Sequence, residues 1–329
     1  MATSTTPLAP TPRPGRRGRL RAFIDRVRSG DEIAHLITWA FAASVFLITC
    51  LLLYELWATC ALPRHKFGWS FLVTSTWDPV TEQFGALPFI YGTLVTSALA
   101  LLIAVPLGVG AAIFLAELAP PRISDALSFV MELLAAVPSV IYGVIGIFIL
   151  VPLLRRYVEP PLKAAFGYLP LFKGPLVGVG FLAAGVVLAV MIVPFILSIS
   201  REVLLSVPVD QREAALALGA TKWESTWKVV VPYARTGIMG SIFLALARAL
   251  GETMAVTMVI GNDPKISASL FAPGYSIAAV IANEFTEATS DMYVQALIEL
   301  GLVLFLVTII INALARILIL ATAGRGTAH

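Results

Sequence analysis

Six apolar segments constrain this chain more than any other feature of its sequence. Hydrophobic residues make up 58% of the chain, charged residues only 13%, and the mean hydropathy is +0.89. An α-helix of about 20 apolar residues crosses the hydrocarbon core of a bilayer, and every segment is long enough to do so. The segments lie near Leu36–Leu62, Leu94–Ala116, Leu133–Leu154, Leu176–Ile199, Gly237–Ile260 and Leu297–Leu320. The sequence therefore predicts an all-α integral membrane protein, with six transmembrane helices forming one domain over residues 33–322.

The two ends of the chain differ from this domain. Residues 1–32 are rich in Pro, Thr and Arg, a composition that predicts a disordered basic arm lying on anionic lipid. No folded basic domain accompanies the arm, so its charge does not indicate nucleic-acid binding. The first apolar segment is longer than the core of a secretory signal, which predicts a retained span. Residues 323–329 are expected to form a short tail.

The distribution of Lys and Arg predicts the orientation of the spans. With the N-terminus inside, fifteen of the 23 Lys and Arg residues fall in inner segments and seven in outer segments, while Arg248 lies within a span. Positive residues are enriched on the cytoplasmic side of membrane proteins. We therefore expect both termini, and the loop of residues 201–235, to face the cytoplasm.

The longest polar-rich stretch between two apolar segments runs from Glu213 to Pro232, and we call it the elbow. Alanines and leucines favour a helix at its start, and Gly219 is suited to a left-handed stop. Thr221 followed by Glu224 has the spacing of a capping box that begins a second helix. We predict helix, turn and helix, with Pro232 ending the second helix before the next span. A simpler interpretation is an amphipathic loop lying on the bilayer surface.

The elbow resembles the EAA loop of ABC-importer permeases. Glu213-Ala214-Ala215 is followed by three residues, Gly219, nine residues and an apolar triplet ending in Pro232, with Val where the family has Ile and Leu. The resemblance implies an ABC-importer type I permease-like fold. It also implies that Glu213, Ala214, Ala215, Gly219 and Pro232 belong to a coupling loop that docks into a groove on a cytoplasmic ATPase.

Two charges lie within the fifth apolar segment. Arg248 is near its middle, and Glu252 follows at the i+4 spacing of a helix. A mid-membrane arginine costs about 2.5–3.5 kcal/mol on insertion scales, so it is expected to face protein or water. The same face carries small residues that allow close helix approach, namely Ser241, Ala245, Ala249 and Ala255. Either Arg248 and Glu252 neutralise each other to fix helix packing, or they line a path for a charged solute.

The segment from Arg248 to Asn262, and that from Glu132 to Gly143, resemble the permeases of ATP-driven phosphate importers. The resemblance implies a chain that forms half of a translocation pore in a bacterial inner membrane. Its expected partners are a second homologous permease subunit, a cytoplasmic ATPase dimer and an extracytoplasmic phosphate-binding protein. ATP and Mg would be bound by the ATPase, and no cofactor is expected in this chain.

The chemistry of these two side chains suits phosphate. A guanidinium is always charged and binds an oxyanion with two parallel hydrogen bonds. Phosphate near neutral pH still carries a proton that it can donate to a carboxylate, whereas sulfate does not. We hypothesise that Arg248 attracts the anion and that Glu252 helps to exclude sulfate. Alternatively, Glu252 only holds Arg248 in place.

The sequence lacks the residue patterns that are typical of enzymes and metal-binding proteins. The sequence has no Gly-rich phosphate loop, no metal-ligand spacing among its three His, and no nucleophile–base constellation, so we do not expect an enzyme. Two alternatives stay open from the residues alone. One is a permease for another oxyanion, such as sulfate or molybdate, and the other is a stand-alone secondary transporter or channel using Arg248 and Glu252.

Overall fold

The computed structural model describes residues 31–323, and the side chains of residues 34–317. Most of the predicted arm (residues 1–32) and of the predicted tail (residues 323–329) lies outside this range. Residues 31, 32 and 323 lie within it and are helical. The chain divides into two units, Met1–Glu55 and Leu56–His329. The first unit contributes most of one long helix, and everything described below belongs to the second unless stated.

The described residues are almost entirely helical, and they contain no sheet. The only bridges in this range are isolated ones, between Asp78 and Gln83 and between Gly261 and Gly274. The α-helices are α1 (Asp31–Thr59), α2 (Ala61–Phe67), α3 (Ser70–Val73), α4 (Leu87–Ile113), α5 (Pro121–Ala135), α6 (Ser139–Ile145), α7 (Val151–Leu153), α8 (Glu159–Phe166), α9 (Phe181–Leu205), α10 (Val209–Ala217), α11 (Lys222–Ser225), α12 (Val231–Leu250), α13 (Met254–Val259), α14 (Ile277–Glu284) and α15 (Asp291–Ala323). π-Helical turns continue several of them, at Phe114–Leu118, Gly146–Leu150, Leu154–Val158 and Thr226–Val230.

Within residues 31–323, six helical stretches are long and apolar enough to cross a membrane. They are Ala34–Thr59, Leu87–Leu118, Ser139–Phe166, Phe181–Leu205, Lys222–Leu250 and Asp291–Ile317. The predicted all-α fold with six spans and a helical elbow is thereby confirmed. The chain is a multi-pass membrane protein.

The third span begins later than predicted. Leu133 belongs to α5, which ends at Ala135, and the span starts only after Pro138. Proline disfavours a helical conformation in the residue before it and has no N–H to donate, so the helix cannot run through this position unchanged. Pro138 instead adopts an extended conformation and becomes the residue before α6.

The fifth span differs at both ends. Pro232 does not end the elbow's second helix, because helical structure continues from Lys222 to Leu250 through a π-helical turn at Thr226–Val230. Pro232 falls in the first turn of α12, directly after that turn, where the widened backbone tolerates a residue without an N–H. At the other end α12 stops at Leu250, ten residues before the predicted limit, and Gly251, Glu252 and Thr253 are not helical.

Helix α9 lies at the centre of the second unit. It packs against α4, α5 and α12, and its buried side chains include Leu188, Met191, Ile192 and Ile196. Near the end of α9 a separate apolar cluster joins it to α4 and α12, through Ala112, Ile113, Leu115, Leu197, Leu204, Val207, Val230, Ala234 and Ile238. This cluster supports the elbow from the span side.

An aromatic cluster lies between the start of α4 and the helices α14 and α15. The Trp77 ring lies 4.8 Å from the rings of both Phe84 and Phe89, measured between centroids. Glu284 accepts hydrogen bonds from Trp77 Nε1 at 2.8 Å and from the Tyr293 hydroxyl at 2.6 Å. One carboxylate therefore fixes the loop after α3 to both α14 and α15.

The start of α4 passes very close to the chain that leads into α14. A Cβ added at Gly92 would overlap the carbonyl oxygen of Tyr275, whereas a Cβ added at Gly110, in the same helix, would meet nothing within 4 Å. Backbone atoms cannot move aside as a side chain can. The α4–α14 contact therefore depends on glycine at position 92.

We predict that Gly92→Ala destabilises the protein by about 1–3 kcal/mol, because the added methyl group overpacks a rigid contact. Gly110→Ala is the matched control and is expected to be neutral or stabilising by up to about 1 kcal/mol, since alanine favours a helix. Thermal unfolding of the detergent-purified variants measures both. Equal midpoints for the two variants would contradict the close approach of α4 to Tyr275.

Candidate functional site

The first helix of the elbow, α10, ends as its sequence predicts. Gly219 has a φ of +85°, in the left-handed region. Its N–H donates to Leu216 O at 2.9 Å, and the Ala220 N–H donates to Ala215 O at 3.1 Å. These two bonds form a Schellman motif, which satisfies the last carbonyls of a helix and reverses the chain. The predicted stop at Gly219 is confirmed.

The second helix of the elbow begins with the predicted capping box. Thr221 Oγ1 accepts from the Glu224 N–H at 3.2 Å, and Glu224 Oε2 accepts from the Thr221 N–H at 3.0 Å. Two donors that have no partner within the helix are thus satisfied reciprocally. The elbow is consequently a defined turn between two helices.

The elbow offers a concave surface to a partner. Glu213, Ala214, Gly219 and Pro232 are exposed, and Leu218 is 90% exposed, while Ala215 is buried. A cleft of ≈ 450 Å³ lies between the two elbow helices, lined among others by Gln211, Ala214, Leu218, Glu224, Lys228 and Val229. An exposed leucine beside a cleft with both charge signs is a surface suited to protein docking.

Arg212, the residue before Glu213, anchors the elbow to two spans. Its guanidinium pairs with Glu117 at 2.8 Å and donates to the carbonyl oxygens of Leu204, at 2.7 Å, and Val207. No pattern in the sequence singles out this residue. Arg212 and Glu117 are 95 positions apart, so only the fold brings them together.

A second arginine joins α9 to α5. Arg201 Nη2 donates to Ser124 Oγ at 3.0 Å and lies 3.4 Å from an oxygen of Asp125. The Ser124 hydroxyl in turn donates to Leu115 O at 2.8 Å. The start of α5 is therefore tied to the ends of the second and fourth spans.

Arg248 lies near the end of α12 and is only partly buried. Its Nε is buried and has no hydrogen-bond acceptor, and its guanidinium carbon lies 5.8 Å from the centroid of the Phe195 ring. Among residues 31–323, Arg248 forms no ion pair. The structure therefore places in the fifth span, beside α9, a partly exposed arginine whose buried Nε has no acceptor among the described residues.

Glu252 has a local role instead of pairing with Arg248. Its Oε1 accepts from the Ala255 N–H at 3.2 Å, which caps the short helix α13. Arg248 and Glu252 do not lie one turn apart on a continuous helix, as was expected. Helix α12 ends at Leu250, and Glu252 lies in the break between α12 and α13. Mutual neutralisation of the two charges is therefore not what the described residues show. Their predicted place on a solute path stays a prediction.

The small residues of α12 pack as predicted. Ser241, Ala245 and Ala249 are all buried, and Ser241 Oγ lies 2.7 Å from Ser200 Oγ of α9. This close approach positions α12, and with it Arg248, against the central helix. In the described part of the chain, no group of His, Cys, Asp and Glu has the arrangement of a metal site.

Comparison with known proteins agrees with this architecture. Residues 104–322 match the family model described as binding-protein-dependent transport system inner membrane component. A Mesorhizobium japonicum protein named phosphate transport system permease protein PstC is 48% identical over 316 residues, covering 95% of this chain and 97% of that protein. A Xylella fastidiosa protein of the same name is 51% identical over 257 residues, covering 77% of this chain and 79% of that protein.

A third relative extends the same pattern. The Pasteurella multocida protein named phosphate transport system permease protein PstC is 49% identical over 284 residues, covering 85% of this chain and 88% of that protein. These matches confirm the predicted relationship to ABC-importer permeases, and they do not favour a stand-alone transporter or channel. The chain belongs to the family of binding-protein-dependent transport system inner membrane components.

Proposed function

We propose that this chain is the permease subunit of an ATP-driven importer of inorganic phosphate, and that it forms half of the translocation pore. The observation that carries the proposal is Arg248, a cation in the fifth span whose Nε is buried without a partner. The names of the relatives, which align over most of this chain, support phosphate as the solute.

An unpaired intramembrane arginine needs a functional reason. Its insertion costs about 2.5–3.5 kcal/mol, and no carboxylate of the described residues offsets that cost by pairing with it. A passing oxyanion would supply the missing acceptors, because a guanidinium presents two parallel donors to a tetrahedral anion. Arg248 is thus suited to a transient anion contact.

Glu252 is the candidate for discrimination between oxyanions. One of its oxygens caps α13, and the other has no hydrogen bond among the described residues. A hydrogen phosphate ion could donate its proton to that oxygen, whereas sulfate would meet only the repulsion of a negative charge. We propose that Glu252 disfavours sulfate, in preference to the alternative that it merely holds Arg248.

The elbow is the proposed coupling site. Glu213, Ala214, Ala215, Gly219 and Pro232 would form the part of the loop that docks on a cytoplasmic ATPase dimer. The excess of Lys and Arg in the loop and at the N-terminus supports a cytoplasmic location for both termini and the elbow. ATP and Mg would bind to the ATPase, and its closure would move the elbow and rock the spans.

The remaining partners follow from the same proposal. A second homologous permease subunit would complete the pore in a bacterial inner membrane, and an extracytoplasmic phosphate-binding protein would deliver the solute. The wording of the family description, binding-protein-dependent transport, supports such a delivery protein. A permease for sulfate or molybdate is the alternative that the uptake experiment below separates from phosphate.

We predict that Arg248→Gln lowers ATP-dependent uptake of labelled phosphate roughly ten- to hundredfold, the loss expected for a charge-assisted hydrogen bond. Arg316→Gln is the matched control, since Arg316 is an exposed arginine near the end of the last span. Uptake is measured in cells expressing the complete complex, with excess sulfate as competitor. Normal uptake by an assembled Arg248→Gln complex would show that Arg248 serves helix packing and not transport. Abolition of phosphate uptake by excess sulfate would show that phosphate is not the preferred solute.

The docking role of the elbow predicts a second result. Glu213→Lys reverses an exposed charge at the proposed interface and is expected to reduce co-purification of the ATPase subunit roughly tenfold. Glu287→Lys makes the same change on an exposed loop before α15 and should leave co-purification unaltered. Full retention of the ATPase by Glu213→Lys would argue that the elbow is only a membrane-surface loop.

A further inference from the structure

The ion pair between Arg212 and Glu117 is the most buried one among the described residues. The side chains are 20% and 11% exposed, and Arg212 Nη2 lies 2.8 Å from Glu117 Oε1. The Arg212 Nε lies 3.2 and 3.3 Å from the two oxygens of the same carboxylate. The contact is therefore a two-pronged fork, the geometry that fixes orientation as well as distance.

The same guanidinium also binds the end of the fourth span. It donates to Leu204 O and Val207 O, at and just beyond the last turn of α9. Carbonyl groups at a helix C-terminus have no partner within the helix and carry partial negative charge, so a cation is favourable there. One side chain of α10 thus joins α9 to the π-helical turn that ends the second span.

Besides this pair, α10 packs on the π-helical turn Thr226–Val230 at the start of the fifth span, and within residues 31–323 it has no other extensive contact with a span. Ala215 is the only residue of this helix that is buried. The apolar cluster beneath the elbow includes Val207 and Val230, on either side of α10, but no residue of α10 itself. Among the described residues, the Arg212–Glu117 pair is therefore the direct polar link between α10 and the second span.

We propose that the Arg212–Glu117 pair is the joint through which movement of the elbow reaches the second span. This inference rests on the proposed function, in which an ATPase moves the elbow. Arg212 is a positioning residue, since it faces the spans and not the docking cleft. Without the joint, α10 would still move with the ATPase, but α4 would no longer follow it.

A contrasting ion pair lies within the elbow itself. Lys228 Nζ is 3.3 Å from Glu224 Oε1, but the two side chains are 73% and 42% exposed and four residues apart on one helix. Such a pair contributes little and connects no separate elements. Burial and the joining of distant segments therefore distinguish Arg212–Glu117 as the candidate joint.

The test uses the complete importer in proteoliposomes, with Glu117→Gln, Arg212→Gln, the double variant and Arg212→Lys. The measured quantity is phosphate imported per ATP hydrolysed, for equal amounts of assembled complex. We expect Glu117→Gln and Arg212→Gln each to lower this ratio about tenfold while ATP hydrolysis continues. The double variant should be no worse than the more severe single variant, because both remove one interaction.

Arg212→Lys distinguishes geometry from charge. Lysine keeps the positive charge but lacks the planar fork that binds a carboxylate and two carbonyls together. We expect its ratio to lie between wild type and Arg212→Gln. Lys265→Gln is the matched control, because it removes an exposed ion pair with Asp263 far along the chain and should leave the ratio unchanged.

Two results would overturn the proposal. One is a wild-type ratio in both Gln variants. The other is a parallel fall in uptake and ATP hydrolysis, which would show that the pair only supports folding. If the wild-type complex imports sulfate or molybdate instead of phosphate, the proposed cargo is wrong, and the ratio measured with that oxyanion still tests the joint.

Discussion

The backbone's need for internal hydrogen bonds governs this structure, because hydrocarbon offers no water to satisfy an N–H or C=O group. The spans are therefore helices, and three of the departures from a regular helix are accommodated locally. Pro232 lies in the first turn of the helix that follows a π-helical turn, and Pro138 lies between two helices. At the break after Leu250, the Glu252 side chain accepts the Ala255 N–H. At these positions a side chain, a wider turn or a break in the helix accommodates the freed groups.

Local sequence signals predicted the parts of the fold that local physics decides. Six apolar segments gave the six spans, and Gly219, Thr221 and Glu224 formed the turn and cap that their types favour. The end of α12 at Leu250 was not predicted from the sequence. Hydropathy does not show that a glycine and a capping carboxylate compete with continuation of the helix. The continuation of helical structure past Pro232 was also not predicted, because a proline in the sequence does not reveal the π-helical turn that precedes it.

The candidate site was predictable only in part, for the same reason. The turn and the cap of the elbow were predictable because the residues that form them lie within six positions of one another, whereas the coupling role of the motif residues stays a prediction. The pairing of Arg212 with Glu117 was not, because it joins residues 95 positions apart through the packing of α4 against α9. The partner of Glu252 was also missed, because the i+4 rule assumes a continuous helix that the chain does not form.

The two arginines show how one side-chain type serves different ends. Arg212 is surrounded by a carboxylate and two carbonyl oxygens, so its charge is compensated and its position is fixed. Arg248 has a ring beside it and a buried Nε without an acceptor, and none of the described residues compensates its charge with an ion pair. A satisfied buried cation has little further affinity for an anion, whereas an unsatisfied one gains free energy from any acceptor that arrives. In the proposed function, Arg212 thus transmits movement and Arg248 meets the solute.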